Sequence, residues 1–194
     1  WSVSGKFDLT TLGLGELSMR VRVGRNLSSF PLPGAMSQQQ RCDMENVMVK
    51  AFDKLIAMPE YGGKYNSITP GHEHFVDEAA YQKLVDDHIL FKDMSKDCYL
   101  LSAGIAKDWP HGRGCYVSED QQFIIWVGEE DHLRIMCMKK GAVLNEEFDR
   151  LENALKVVGD IEGIDFAISK DYGVVTSCPT NIGKCRNTFG EQPT

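Results

Sequence analysis

Apolar residues return every three or four positions from about Ser37 to Met58, at Met44, Val47, Met48, Ala51, Phe52, Leu55 and Ile56. That spacing predicts an amphipathic helix with this stripe turned inward. Ser37 and Gln40 make an S-x-x-Q capping box at its start, and Pro59 with Gly62-Gly63 ends it. A shorter helix is predicted from Glu78 to Asp87, with Asp77 as N-cap and Ala80, Tyr81, Leu84 and Val85 inward. Asn145 caps a third. Its first turn carries Glu146 and Glu147, its inner stripe is Phe148, Leu151, Leu155 and Val158, and Gly159 closes it.

Between the helices the period changes to two. Cys115-Tyr116-Val117 and Phe123 to Val127 read as a hairpin turned by Glu119-Asp120. From His132 to Met138, Leu133, Ile135 and Cys137 alternate with His132, Arg134, Met136 and Met138, so Arg134 should face away from Leu133. Ser18 to Arg25 reads as a strand, and Tyr172 to Ser177 as a last strand running into a Pro/Gly loop. Hairpins with intervening helices predict an α+β domain, a mostly antiparallel sheet flanked by helices.

At 194 residues, 42% hydrophobic and 25% charged, with a mean hydropathy of -0.28, the chain suits one ordinary folded domain. Its longest apolar run, Phe123 to Val127, is far short of the roughly 20 residues of a membrane-spanning helix. A net charge of -7 and a pI near 5.2 argue against a nucleic-acid partner. Six cysteines without a CxxC pair read as reduced thiols in the cytoplasm. The start at Trp1 reads as a fragment or a processed product.

Candidate chemistry concentrates in a few places. Arg20 and Arg22, two apart on a strand, share a face at roughly 6.6 Å, a span suited to a polyphosphate gripped by guanidinium forks; the alternative is an exposed basic edge. Glu129-Glu130-Asp131-His132-Leu133-Arg134 gathers three carboxylates, an imidazole and a guanidinium. A carboxylate there could hold a cationic substrate or take its proton, and Arg134 could neutralise a phosphoryl group. A metal-dependent hydrolase on this cluster lacks a complete ligand set, and a solvated acidic turn is the plain alternative. Cys178, between a strand and Pro179, is a candidate thiolate or an inert buried thiol. Arg113 lies in a Pro/Gly-bracketed loop competent for phosphate, while Trp126 reads as core. His72 and His74 lack a third ligand and take no role.

Five blocks, in order along the chain, resemble the catalytic domain of the phosphagen kinases, the ATP:guanidino phosphotransferases such as arginine, creatine and taurocyamine kinases. They are S-x-R-V-R-x-G-R from Ser18 to Arg25, L-V-D-D-H from Leu84 to His88, D-W-P-x-G-R-G from Asp108 to Gly114, E-E-D-H-L-R from Glu129 to Arg134, and C-P-T-N-I-G from Cys178 to Gly183. The resemblance implies the phosphagen kinase/glutamine synthetase-like fold. It also implies reversible transfer of the ATP γ-phosphoryl group to a guanidine nitrogen, giving a phosphagen and ADP, with magnesium bridging the phosphates.

On the same resemblance Ser18, Arg20, Arg22 and Arg134 belong to the nucleotide site, with Arg113 a helper and His88 beside the base. Glu130 orients the guanidinium and takes its proton, Cys178 sits against the same group, and Thr180 favours arginine over creatine, with taurocyamine a further candidate guanidine. The family continues to another phosphate-binding arginine, and Arg186 is a stand-in that falls one place early. The stretch 1–194 is expected to be a partial catalytic domain without the family's N-terminal helical domain or C-terminal lid. A homodimer or larger assembly is compatible with it, and an inactive scaffold is the alternative reading.

Overall fold

The computed structural model describes residues 12–13, 18–141 and 145–183. One antiparallel sheet organises them. Its strands are β1 (Ser18–Arg25), β2 (Gly63–Ser67), β3 (Gly114–Ser118), β4 (Phe123–Val127) and β5 (Leu133–Lys140), in the spatial order β1-β5-β4-β3-β2. Four helices accompany it: α1 (Gln38–Ile56), α2 (Glu78–Asp86), the single turn α3 (Cys98–Ser102) and α4 (Asn145–Gly159). The α+β expectation holds.

Register decides which side chains share a face. Directly opposed pairs place Gly24 against Arg134, Arg22 against Met136 and Arg20 against Met138, while Arg134 in turn opposes Trp126. Arg20, Arg22, Arg134, Met136, Ile124 and Trp126 therefore lie on one face. The other face presents Val23, Leu133, Ile135, Cys137, Phe123, Ile125 and Val127, and these pack with the buried stripes of α1 and α4 as the main core. A second core, made by Ile124, Trp126, Met136, Cys115 and Val117 with Tyr81, Val85 and the 89–94 segment, covers part of the first face. Both faces are buried over the central strands, so alternation there marks which core a residue joins. Arg20 and Arg22 of β1, at the sheet edge, stay exposed, while Arg25 at its end is buried.

The helices start and stop for local reasons. The predicted capping box of α1 is formed, with the Gln40 N–H donating to Ser37 Oγ and the Ser37 N–H donating to Gln40 Oε1 at 2.9 Å. Asp77 caps α2 through the Ala80 N–H. In α1 the stripe shifts by part of a turn relative to expectation. Ile56 is half exposed, and Arg41 and Glu45 are buried instead. Glu45 is wholly enclosed, yet its carboxylate accepts the hydroxyls of Tyr65, Ser67 and Thr69 at 2.6–2.9 Å, which replaces the hydration lost on burial.

Two strand expectations need correction. β2 was not anticipated, because Gly63-Lys64-Tyr65-Asn66-Ser67 has no apolar alternation; pairing with β3 makes it a strand. The expected strand from Tyr172 to Ser177 contracts to β7 (Gly173–Val174), which pairs with β6 (Ile168–Ser169) in a separate two-stranded ribbon. Beyond it the chain leaves the ladder to make side-chain contacts with the carboxylate turn. Among the described residues, no helix is long and apolar enough to cross a membrane.

Candidate functional site

A cleft of about 310 Å³ opens where the exposed end of β1 and β5 meets the segment after α2. Arg20, Arg22, Arg134, Lys92 and His88 line it with Glu129, and Val85, Leu90, Phe91 and Trp126 form its apolar wall. Its lining is part cationic and part apolar and aromatic. That combination suits a ligand with a polyanionic tail and a planar, weakly polar head.

The cationic side chains of the lining, Arg20, Arg22, Lys92 and Arg134, outnumber its one carboxylate, Glu129. The Arg22 guanidinium is pushed below its ordinary pKa first by burial, then by the like charges of Arg134 and Arg20, with Glu129 and Glu130 opposing. An arriving anion relieves this repulsion. Arg134 is nearly buried. Its Nη1 donates to Glu129 Oε1 at 2.8 Å, and its guanidinium carbon lies 5.7 Å from the centre of the Trp126 ring. Trp126 is fixed in turn by an Nε1–H bond to the Ile89 carbonyl at 2.6 Å. It is a core residue, as its sequence context indicates, and also the cleft's wall.

His88 reaches the cleft through its backbone. The His88 N–H bonds the Val85 carbonyl and the Ile89 N–H bonds the Leu84 carbonyl, a Schellman ending that places His88 at φ 59° in the left-handed region. A non-glycine residue there costs about 1 kcal/mol. His88→Gly is therefore expected to raise stability by about 1 kcal/mol, read as a higher urea midpoint.

The carboxylate turn is built from β4 to β5. Gly128, at φ 70°, begins it, and an added Cβ would come within 2.3 Å of the Gly112 carbonyl oxygen. Glu129 points into the cleft. Burial raises its pKa, Arg134 pulling the other way, and its Oε2 accepts the Glu130 N–H at 2.9 Å. Glu130 is half-buried and does not line the cleft, but its charge acts on Arg22, which keeps it in the same electrostatic neighbourhood. Among the described residues its carboxylate takes no ion pair. Asp131 and His132 are buried and anchor the turn. His132 Nδ1 accepts the Leu27 N–H at 2.9 Å and Nε2 donates to the Pro31 carbonyl at 2.9 Å, an arrangement of the neutral ring.

Cys178 follows the β6–β7 ribbon, half-buried and not in a disulfide, and caps the short 3-10 turn Pro179–Asn181. Its carbonyl accepts the Thr176 hydroxyl at 3.0 Å. Ser177, just before it, donates its N–H to Asp131 Oδ1 at 2.6 Å, which ties the cysteine loop to the carboxylate turn.

Some sequence-predicted residues fall elsewhere. Arg113 is fully buried: Nη1 donates to the His111 carbonyl and Nη2 to those of Ile105 and Lys107, at 2.8–3.0 Å, with Trp109 beneath the guanidinium. Burial lowers its pKa to about 10. Carbonyls and the indole occupy it, so it supports the loop and does not line the cleft. Ser18 begins β1, exposed and outside the cleft lining. Arg186 and the Thr180 side chain lie outside the described residues. The reading from sequence missed Lys92 and gave Glu129 no role of its own. Lys92 has no pattern around it, whereas the five-residue interval from Glu129 to Arg134 across a strand start was a usable cue.

The domain is an antiparallel α+β fold that gathers three arginines, Lys92, His88 and the Glu129 carboxylate at one cleft on the sheet. The family profile for ATP:guanido phosphotransferase, C-terminal catalytic domain, matches residues 43–186, and the chain belongs to that family. It is 38% identical to arginine kinase of Anthopleura japonica over 86% of its length, and 38% identical to taurocyamine kinase of Schistosoma mansoni over 91%. To the testis isozyme of creatine kinase from Oncorhynchus mykiss it is 36% identical over 86%. It spans only 22%, 22% and 42% of those three relatives. Among solved structures, the substrate-free duplicated taurocyamine kinase of Schistosoma mansoni superposes with a TM-score of 0.80 at 34% identity, covering 94% of this chain and 24% of that one. Lombricine kinase superposes at 0.78 and 25% identity, covering 93% and 47%.

Proposed function

We propose that this chain carries the nucleotide-binding and proton-accepting parts of an ATP:guanidino phosphotransferase, with arginine the favoured acceptor. The observation that carries the reading is the convergence of Arg20, Arg22 and Arg134 on one cleft whose electrostatics include Glu129 and Glu130. The three guanidinium groups grip the nucleotide phosphates, and the wall of Val85, Leu90, Phe91 and Trp126, with His88, takes the base. No group of three or more metal-ligating side chains is present among the described residues, so magnesium would be held largely by the nucleotide's own phosphate oxygens. When bound, it neutralises charge on the transferring group.

The two glutamates divide the work. Glu129 is committed to Arg134 and sets that guanidinium's position. Glu130 is left to orient the acceptor guanidinium and take its proton as the guanidine nitrogen attacks the γ-phosphorus and the bond to the β-phosphate oxygen breaks, releasing ADP. Cys178, held beside this turn through Ser177, adds a second polar group against the acceptor. Unbridged thiols at the five described cysteines accord with work in the cytoplasm. The alternative of an inactive scaffold has no observation of its own in its favour.

Phosphorus NMR of the purified chain with MgATP and arginine, creatine or taurocyamine, beside Glu130→Gln, tests the proposal. Phosphoguanidine is expected from at least one mixture, fastest with arginine, and Glu130→Gln is expected to slow it about a hundredfold while MgADP still binds. Equal product from both chains, or no nucleotide binding by the parent, overturns it.

A further inference from the structure

We propose that Asp131 is a positioning residue that holds the carboxylate turn, the cysteine loop and β1 in one fixed arrangement; its link to catalysis rests on the function proposed above. Asp131 is 1% exposed. One of its oxygens, Oδ1, accepts both the Asn26 amide at 2.7 Å and the Ser177 N–H at 2.6 Å. Asn26 completes the joint. Its Oδ1 accepts the His132 N–H at 2.8 Å and its Nδ2 also reaches the Val175 carbonyl at 3.2 Å.

The covalent chain gives these bonds their meaning. Asp131 follows Glu130 directly, and Ser177 directly precedes Cys178, so the two groups that face the acceptor are each one residue from a single hydrogen bond. They are 48 positions apart in sequence and lie on different ladders, β4–β5 and the β6–β7 ribbon. The third part is β1. A methyl group on Gly24 would stand 2.6 Å from Asp131 Oδ2 and 3.6 Å from Thr176 Cγ2. Gly24 shares its strand face with Arg20 and Arg22, so the bare backbone there lets the carboxylate seat beside the strand that carries the phosphate-binding arginines. A charged acceptor with two donors is a strong tether. Its loss frees the cysteine loop without touching the sheet ladders.

The test reads the loop by the rate at which iodoacetamide labels Cys178, in tryptic peptide 171–184, which contains no other cysteine. Cys115 and Cys137, both fully buried, fall in peptides 114–134 and 135–139 and report the integrity of the sheet. Asp131→Ala is expected to speed labelling of Cys178 about tenfold while Cys115 and Cys137 stay protected. Asp131→Asn keeps the Oδ1 acceptor and is expected to stay within about twofold of the parent. Gly24→Ala, which displaces the carboxylate without deleting it, is expected to follow Asp131→Ala.

An unchanged Cys178 rate in Asp131→Ala with the sheet protected overturns the proposal, and if that variant unfolds Gly24→Ala decides in the same way. Labelling of Cys115 and Cys137 in both variants would make Asp131 a general support of the fold and likewise overturn it. The labelling is read without nucleotide or guanidine, so an inactive parent would sink the proposed function and leave this test standing. With an active parent, Asp131→Ala is expected to lower kcat while the KM for MgATP stays within about twofold.

Discussion

Replacing Arg134 by alanine is expected to slow phosphoryl transfer about a thousandfold and to cost the fold about 3 kcal/mol. The two losses have different causes. Arg134 faces the cleft beside Arg20 and Arg22, and in the function proposed above its guanidinium stabilises charge on the transferring phosphoryl group. It also pairs with Glu129 at 2.8 Å, and both side chains are about one-tenth exposed. Without Arg134 the Glu129 carboxylate is a buried charge without its partner. Burial already raises its pKa, and the loss of the opposing arginine raises it further. Adding Glu129→Gln to Arg134→Ala is therefore expected to recover most of the stability and none of the transfer. Urea melts and phosphorus NMR on the parent, the single and the double variant separate the effects. Recovery of transfer in the double variant would show that Arg134 acts only through folding.

The parts of this site that sequence exposes are those governed by short periods. A two-residue period puts Arg20 and Arg22 on one face of β1, and alternation in β5 puts Arg134 away from Leu133; antiparallel pairing of these strands then brings the three together. The helix end at Asp87 is legible from its polar cluster, but the left-handed His88 is not, since only the crossed hydrogen bonds of the last turn require it. Arg113 illustrates the opposite error. Proline and glycine around it suggest an exposed loop, yet three carbonyls and the Trp109 ring enclose the guanidinium, a three-dimensional fact with no local pattern. The choice between Glu129 and Glu130 is of the same kind. Both are acidic turn residues in sequence, and pairing with Arg134 distinguishes them. Asn26, Asp131 and Ser177 meet from three distant stretches, so their joint emerges only once the strands are registered.

The stability of the chain is expected to fall by about 2 kcal/mol between pH 7.5 and pH 5 through His132 alone. The ring is fully buried as the neutral species, with Nδ1 accepting from Leu27 and Nε2 donating to Pro31. A proton on Nδ1 would break the first bond and place a charge in the core, so burial drives the pKa from 6.5 down to about 4. The sign follows from which state binds the proton. Above pH 6.5 neither the folded nor the unfolded chain protonates this ring, and its contribution is whole. As pH falls from 6.5 toward 4 only the unfolded chain takes the proton, and stability drops by at most about 1.4 kcal/mol per pH unit. Below 4 both states are charged and the loss levels off near 3 kcal/mol, roughly the full separation of the two pKa values. His132→Asn keeps a side-chain acceptor and donor but cannot titrate. It is expected to be less stable than the parent at pH 7.5 and to have a flatter acid limb, with the gap between the two chains narrowing by about 2 kcal/mol at pH 5. Urea unfolding at half-unit steps measures the difference directly, and parallel curves for the two chains would mean that folding leaves the ring's pKa unshifted. Because the folded ring takes a proton only near pH 4, acid between pH 6.5 and 4 lowers the stability of the fold without loosening the bonds by which His132 pins the chain leaving β1 to the turn that carries Glu129 and Glu130.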